Sequence, residues 1–186
     1  MRRPVPLVSL LAVPAAFLLL AALPVPRHHA ATLDDPTIIA IFDAANTADI
    51  ETGGLAAKRA HSKEVRDYGA MIARDHEKVR QMGRDLARKL GVTPTPPADD
   101  QSAKDHAEAM ARLRAARGAE FDRVFLTREV AFHQSVIDAI TTTLLPAIQN
   151  AELKALVEQV APAFQAHLLA AQQLQRKLNE SQRAAR

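Results

Sequence analysis

Apolar residues recur every three or four positions over four long stretches of the chain, the periodicity of one face of an α-helix. The first stretch starts at Asp35-Pro36 or Thr37 and places Ile38, Phe42, Ala45, Asp49, Thr52 and Ala56 on its stripe. It is expected to end near His61-Ser62, where Ser62 suits the N-cap of a second helix. That helix carries Val65, Tyr68, Ile72, His76, Val79, Gly83, Leu86 and Leu90, and stops at Gly91 with Pro94, Pro96 and Pro97 beyond it. The short turn near residue 62 makes the two an antiparallel hairpin. Residues 93–100 read as a Pro/Asp-rich linker and 101–117 as a polar, Ala-rich helical segment broken at Gly118. Helix three then shows Phe121, Phe125, Glu129, His133, Val136, Ile140 and Leu144 on one face. After a turn near Asn150, helix four shows Leu153, Leu156, Val160, Phe164, His167, Ala171, Leu174 and Leu178. Pro146 and Pro162 are expected to kink their helices or to mark their ends. No strand pattern and no internal repeat competes. The pattern predicts an all-α protein, a four-helix bundle with an extra helical segment between helices two and three.

The first thirty residues depart from this pattern. Arg2 and Arg3 give a positive start, Leu7 to Leu23 is an apolar run, and Ala30 and Ala31 supply small residues for cleavage. The expected organisation is a signal peptide over 1–30 and a single helical-bundle domain over 31–186, exported to the periplasm or otherwise outside the cytoplasm. An uncleaved anchor is the alternative, but Pro4, Pro6, Pro14, Pro24 and Pro26 make a poor spanning helix. No stable membrane insertion is expected after cleavage. The formal charge of +3 also loses its meaning, because without Arg2, Arg3 and Arg27 the 24 basic residues fall to 21 against 21 acidic. No nucleic-acid partner is therefore expected. The absence of cysteine removes disulfides, thiolate nucleophiles and zinc-finger sites. With no Gly-rich phosphate loop and no nucleophile elbow, hydrolase and nucleotide chemistry are disfavoured.

What remains is a set of polar residues on apolar stripes. At 1.5 Å per residue, Asp49 and His76 lie at depths that agree to roughly 3 Å when counted from a turn at 61 or 62. His133 and His167 are each 17 residues from a turn at Asn150. The depths match whether helices two and three run parallel or antiparallel, so Asp49, His76, His133 and His167 are predicted to meet near the bundle midplane. Three imidazoles and a carboxylate from four helices suit one zinc, iron, manganese or copper ion. Such binding is expected to weaken as pH falls below the ordinary histidine pKa near 6.5. Glu129, one turn before His133, is placed to add an oxygen, whereas Asp122 sits roughly 16 Å along the axis and is not. Asp75 and Glu51 point off their stripes and are expected to support the site or face solvent. The competing reading is a metal-free structural, interaction or stress-related module in which Asp49 and His76 form a satisfied buried pair. A small metal-dependent oxidoreductase would require an open coordination position. His61 and His106 are read as solvated, and Phe42, Phe121, Phe125, Phe132 and Phe164 as core.

The run Phe42 to Ala56 (FDAANTADIETGGLA), followed by Glu64-Val65-Arg66, Met71 and Asp75-His76, resembles the bacterial exported family called domain of unknown function 4142. Phe121-Asp122 with His133, and then His167-Leu168, are similar to its second half, so the resemblance spans about 35–178. It implies a ferritin-like four-helix fold, export and no established activity. The family usually has Glu at position 49 and commonly Met at position 129, which counts against Glu129 as a ligand. Di-iron bundles use Glu-x-x-His, but the residues three before His76 and His167 are Ala73 and Phe164. Ferroxidase and iron storage are thereby disfavoured. A binding role for a single ion is favoured over an enzymatic one.

Overall fold

Local sequence signals set where each helix begins and ends. The Asp34 carboxylate accepts the amide of Thr37 at 3.0 Å, and Pro36 follows inside the first turn, so α1 runs Asp35–Arg59. Ser62 caps α2, Lys63–Leu90, by accepting the Val65 amide, and Gly91 ends it at φ 65°, where a side chain would be strained. After the linker come α3, Ser102–Ala115, and α4, Gly118–Ala139. The end of α4 widens into a π turn at Ile140–Leu144, and Pro146 lies in the last helical turn, Leu145–Ala147. Asn150 then accepts the amides of Glu152 and Leu153 at 2.9 and 3.1 Å and starts α5, Ala151–Ala184. Pro162 lies inside α5 without ending it. This computed structural model describes residues 33–184, and within them the chain is all-helical with no strand. The expected signal peptide lies outside the described residues. Among those residues no helix is long and apolar enough to cross a membrane.

Packing follows from the stripes. α1 and α2 meet backbone to backbone, because a Cβ built on Gly53 would stand 2.7 Å from the Gly69 carbonyl oxygen and 3.0 Å from the Ala73 amide nitrogen. Replacing Gly53 with Ala should therefore destabilise the fold by about 1–3 kcal/mol despite Ala's better helix propensity. Gly54→Ala, with nothing within 4 Å of its Cβ, should be neutral or gain up to about 1 kcal/mol. Equal urea midpoints for the two variants would contradict this packing.

α2 also packs on α5, α5 on α4, and α4 on α1, while α3 lies against α1 and α4. Paired contacts give the directions. Thr52 meets Glu129 while the His61 amide meets Asp122, so α1 and α4 are antiparallel. Tyr68 reaches His167 while Lys89 reaches Glu152, so α2 and α5 are antiparallel as well. With α1 and α2 joined as a hairpin, α2 and α4 run parallel, which decides the orientation of predicted helices two and three.

Two aspartates latch the hairpins together. Buried Asp122 of α4 accepts the His61 and Ser62 amides at 2.7 and 2.8 Å. Asp35 of α1 accepts the Gln149 and Asn150 amides, both at 2.9 Å. Each hairpin thus uses an aspartate near the start of its leading helix to hold the other's turn. Removing the Asp122 carboxylate with Ala should cost about 1–3 kcal/mol in a denaturant melt, since two turn amides lose their acceptor.

The core falls into two apolar clusters. One gathers Ile38, Phe42, Ile140, Leu153, Val157 and Phe164; the other gathers Val65, Tyr68, Ile72, Leu113, Phe121 and Phe125. Between them lies a buried polar layer of Asn46, Asp49, Thr52, His76, Glu129, His133 and His167.

Candidate metal centre

The polar layer is built by four helices, each contributing from its apolar stripe. α1 supplies Asn46, Asp49 and Thr52, α2 supplies His76, α4 supplies Glu129 and His133, and α5 supplies His167. Asp49 Oδ2 lies 3.3 Å from His76 Nε2 and 3.7 Å from His133 Nε2. The three imidazole centroids are 5.2 to 5.6 Å apart, with Phe164 against the rings of His76 and His133. One ligand atom from each of the three histidines lies within 4.8 Å of the others, and the same holds for Asp49, Glu129 and His133. The four residues that the sequence placed at one depth are therefore neighbours.

Hydrogen bonding assigns the free lone pairs. Asn46 donates its amide to the Phe42 carbonyl at 2.7 Å, which turns its Oδ1 toward His76 Nδ1 at 2.9 Å. His76 Nδ1–H must donate to that oxygen, leaving Nε2 a bare acceptor. His133 Nδ1–H likewise donates to the Glu129 carbonyl at 3.0 Å, leaving its Nε2 bare. His167 Nε2 stands 3.4 Å from Asp75 Oδ2, and its Nδ1 is buried with no partner. Asp49 Oδ2 and Glu129 Oε2 are also buried without a hydrogen-bond partner. Four bare acceptors, His76 Nε2, His133 Nε2, His167 Nδ1 and Asp49 Oδ2, thus lie buried in this layer without a hydrogen-bond donor, with the Glu129 carboxyl beside them. Unpaired buried polar atoms each cost roughly 1–3 kcal/mol, so such a cluster favours a bound cation.

Protonation of the histidines does not supply that cation near neutrality. Burial pushes the His76 imidazole down to about 4 against the pull of Asp49, and the neighbouring His133, His167 and Arg128 add to the effect. Burial also lowers His133 and His167. Burial alone would raise the Asp49 carboxyl, but Arg128, His76 and His133 outweigh it and hold the group below its ordinary value. The result is three neutral imidazoles beside an ionised carboxylate, the protonation states a metal requires. Glu129 differs, because burial pushes its carboxyl up to about 8 despite the adjacent Arg128.

Sequence reasoning passed over two residues. Asn46 sits one turn before Asp49 on the same helix, and a buried amide at that spacing was its only signal. Arg128 precedes Glu129 and looks like a surface charge, yet it donates to Asp49 Oδ1, to Glu129 Oε1 at 2.7 Å and to Thr52 Oγ1 at 3.2 Å. Phe132, expected in the core, is only half-buried and carries the Arg128 guanidinium on its face, 3.9 Å from the ring centre. Asp75 supports His167, as one of its two expected placements allowed. His61 is exposed, whereas His106 is not simply solvated: its Nε2 meets Glu51 at 2.8 Å and its Nδ1 is buried.

The family model described as Domain of unknown function (DUF4142) matches residues 21–174. No curated protein and no solved structure matches the chain.

Proposed function

The chain belongs to the family of domain of unknown function 4142, and we propose that it is an exported ferritin-like four-helix bundle that binds a single transition-metal ion. His76 Nε2, His133 Nε2, His167 Nδ1 and Asp49 Oδ2 are the proposed ligands. The observation that carries the reading is that buried ligand atoms of His76, His133 and His167, and of Asp49, Glu129 and His133, lie within 4.8 Å of one another, with acceptors among them that have no hydrogen-bond partner. Spacing supports it too: two ligand atoms each about 2.1 Å from a tetrahedral ion stand about 3.4 Å apart. The 3.3 and 3.7 Å separations around Asp49 Oδ2 bracket that figure.

The supporting contacts match what a ligand set needs. Each histidine has its second nitrogen turned to an oxygen, from the Asn46 amide, the Glu129 carbonyl or the Asp75 carboxylate, which fixes tautomer and ring plane. For the fold, two antiparallel hairpins with one long crossover, so that the second and third long helices run parallel, is the connectivity of ferritin-like bundles. The ligand set is nonetheless unlike a di-iron centre, since Glu-x-x-His is absent from α2 and α5. Three nitrogens and one oxygen suit zinc, iron, manganese or copper over calcium or magnesium. Export to the periplasm follows from the signal-like segment, and N-terminal sequencing of the exported protein should find a start near residue 31.

Calorimetric titration of metal-stripped protein tests the site. One equivalent of Zn²⁺ or Cu²⁺ should be taken up at pH 7.5, and a His133→Ala, His167→Ala double variant should take up none. No uptake by the wild type would leave the metal-free bundle as the function of these residues.

A further inference from the structure

Beside the proposed ligands, one cation is already in place. We propose that the Arg128 guanidinium fills the position of a second metal ion and so holds the centre at one metal, an inference that rests on the single-ion reading above.

The geometry is that of a shared carboxylate. Asp49 turns Oδ2 to His76 and His133 and Oδ1 to Arg128. Arg128 Nη1 gathers three oxygens, from Asp49, from Glu129 at 2.7 Å and from Thr52 at 3.2 Å. Thr52 Oγ1 also lies 3.0 Å from the Ala48 carbonyl, so its hydroxyl hydrogen has an acceptor and a lone pair faces the guanidinium. Oxygens from two acidic side chains and a hydroxyl around one point are the donors a hard divalent cation selects, with loss of the Glu129 proton. Arg128 supplies a charge there that cannot diffuse away, because the side chain is tethered, only 13% exposed and stacked on Phe132. A divalent ion entering the same position would meet that fixed positive charge in a dry pocket, where repulsion is weakly screened. Without Arg128, the buried Asp49 carboxylate and the Glu129 carboxyl would face each other across an unfilled cation position, and a divalent ion entering it would displace the Glu129 proton.

The test compares metal-stripped wild type, Arg128→Gln and Arg128→Gln/Glu129→Gln, dialysed against Mn²⁺ at pH 7.5. Bound metal is counted by elemental analysis and examined by electron paramagnetic resonance, with helicity checked by circular dichroism. Wild type should hold one Mn²⁺ with an isolated-ion spectrum. Arg128→Gln should hold two with the spectrum of a spin-coupled pair, because Asp49 would bridge them. Removing Glu129 as well should return the count to one. If Arg128→Gln is unfolded without metal, Mn²⁺ should restore its helicity with two ions bound. One ion in both wild type and a folded Arg128→Gln, no recovery of an unfolded variant by Mn²⁺, or two ions in wild type would each overturn the assignment of Arg128. No ion in wild type would instead remove the metal reading on which it stands.

Discussion

Zinc added to the metal-stripped protein at pH 7.5 should raise its melting temperature by roughly 5–10 °C. An ion that binds only the folded state adds RT ln(1 + [L]/Kd), about 2.7 kcal/mol at a hundredfold excess over Kd. A domain of this size gains about 2–4 °C for each kcal/mol. The gain should persist at pH 5.5 and fade only toward pH 4. Sequence alone placed that loss near 6.5, where a free histidine titrates. Burial moves it, because the His76 imidazole is pushed down to about 4 and protons do not compete for its nitrogen until then. The His133→Ala, His167→Ala double variant should show no gain at any pH. An equal shift in that variant, or none in the wild type, would remove the site.

Without metal, stability should peak near pH 6.5–7 and fall on both sides. On the acid side the lowered imidazoles of His76, His133 and His167 stay neutral in the folded protein and take up protons on unfolding. A lowered folded pKa gives stability that is full above the unfolded value and lost as pH drops toward the folded one. Glu129 runs the other way, since burial raises it to about 8 and unfolding releases its proton above the ordinary carboxyl value near 4.5. Three groups against one leave a net uptake of protons on unfolding where all four act, so stability falls toward acid. Above 6.5 only Glu129 remains, so the decline toward pH 8 should be shallower. Urea midpoints of EDTA-treated protein from pH 5 to 8 measure both slopes. A midpoint that climbs steadily toward acid would contradict the buried neutral histidines.

The helices were legible because their causes are local. Apolar spacing, the Ser62 cap, the Gly91 stop and the Asn150 start are each read within one turn of chain, and each sits where the structure uses it. Depth was legible for the same reason, since a constant rise per residue converts sequence counting into distance along a bundle. Asp49, His76, His133 and His167 therefore come together as counted, although counting says nothing about which atoms face inward.

Tertiary structure decided what counting leaves open. The parallel course of α2 and α4 depends on the path that the 91–101 connection and α3 take between them, and both orientations satisfy the same stripe. The Gly53–Gly69 contact and the two aspartate latches join residues far apart in sequence, with no local trace beyond ordinary helix residues. Arg128 was passed over and Phe132 placed in the core because a periodic stripe sorts residues by face, whereas a long guanidinium can reach from the edge of that face into the buried layer and lie on a half-buried ring. The sequence by itself determined the helices, their apolar faces and the level of the four polar residues, because these follow from backbone periodicity. Which lone pairs are free, which nitrogen each histidine offers and where the fixed positive charge sits were decided only by packing. Those properties belong to contacts between helices, and the energy of a buried polar atom depends on its neighbours rather than on its place in the chain.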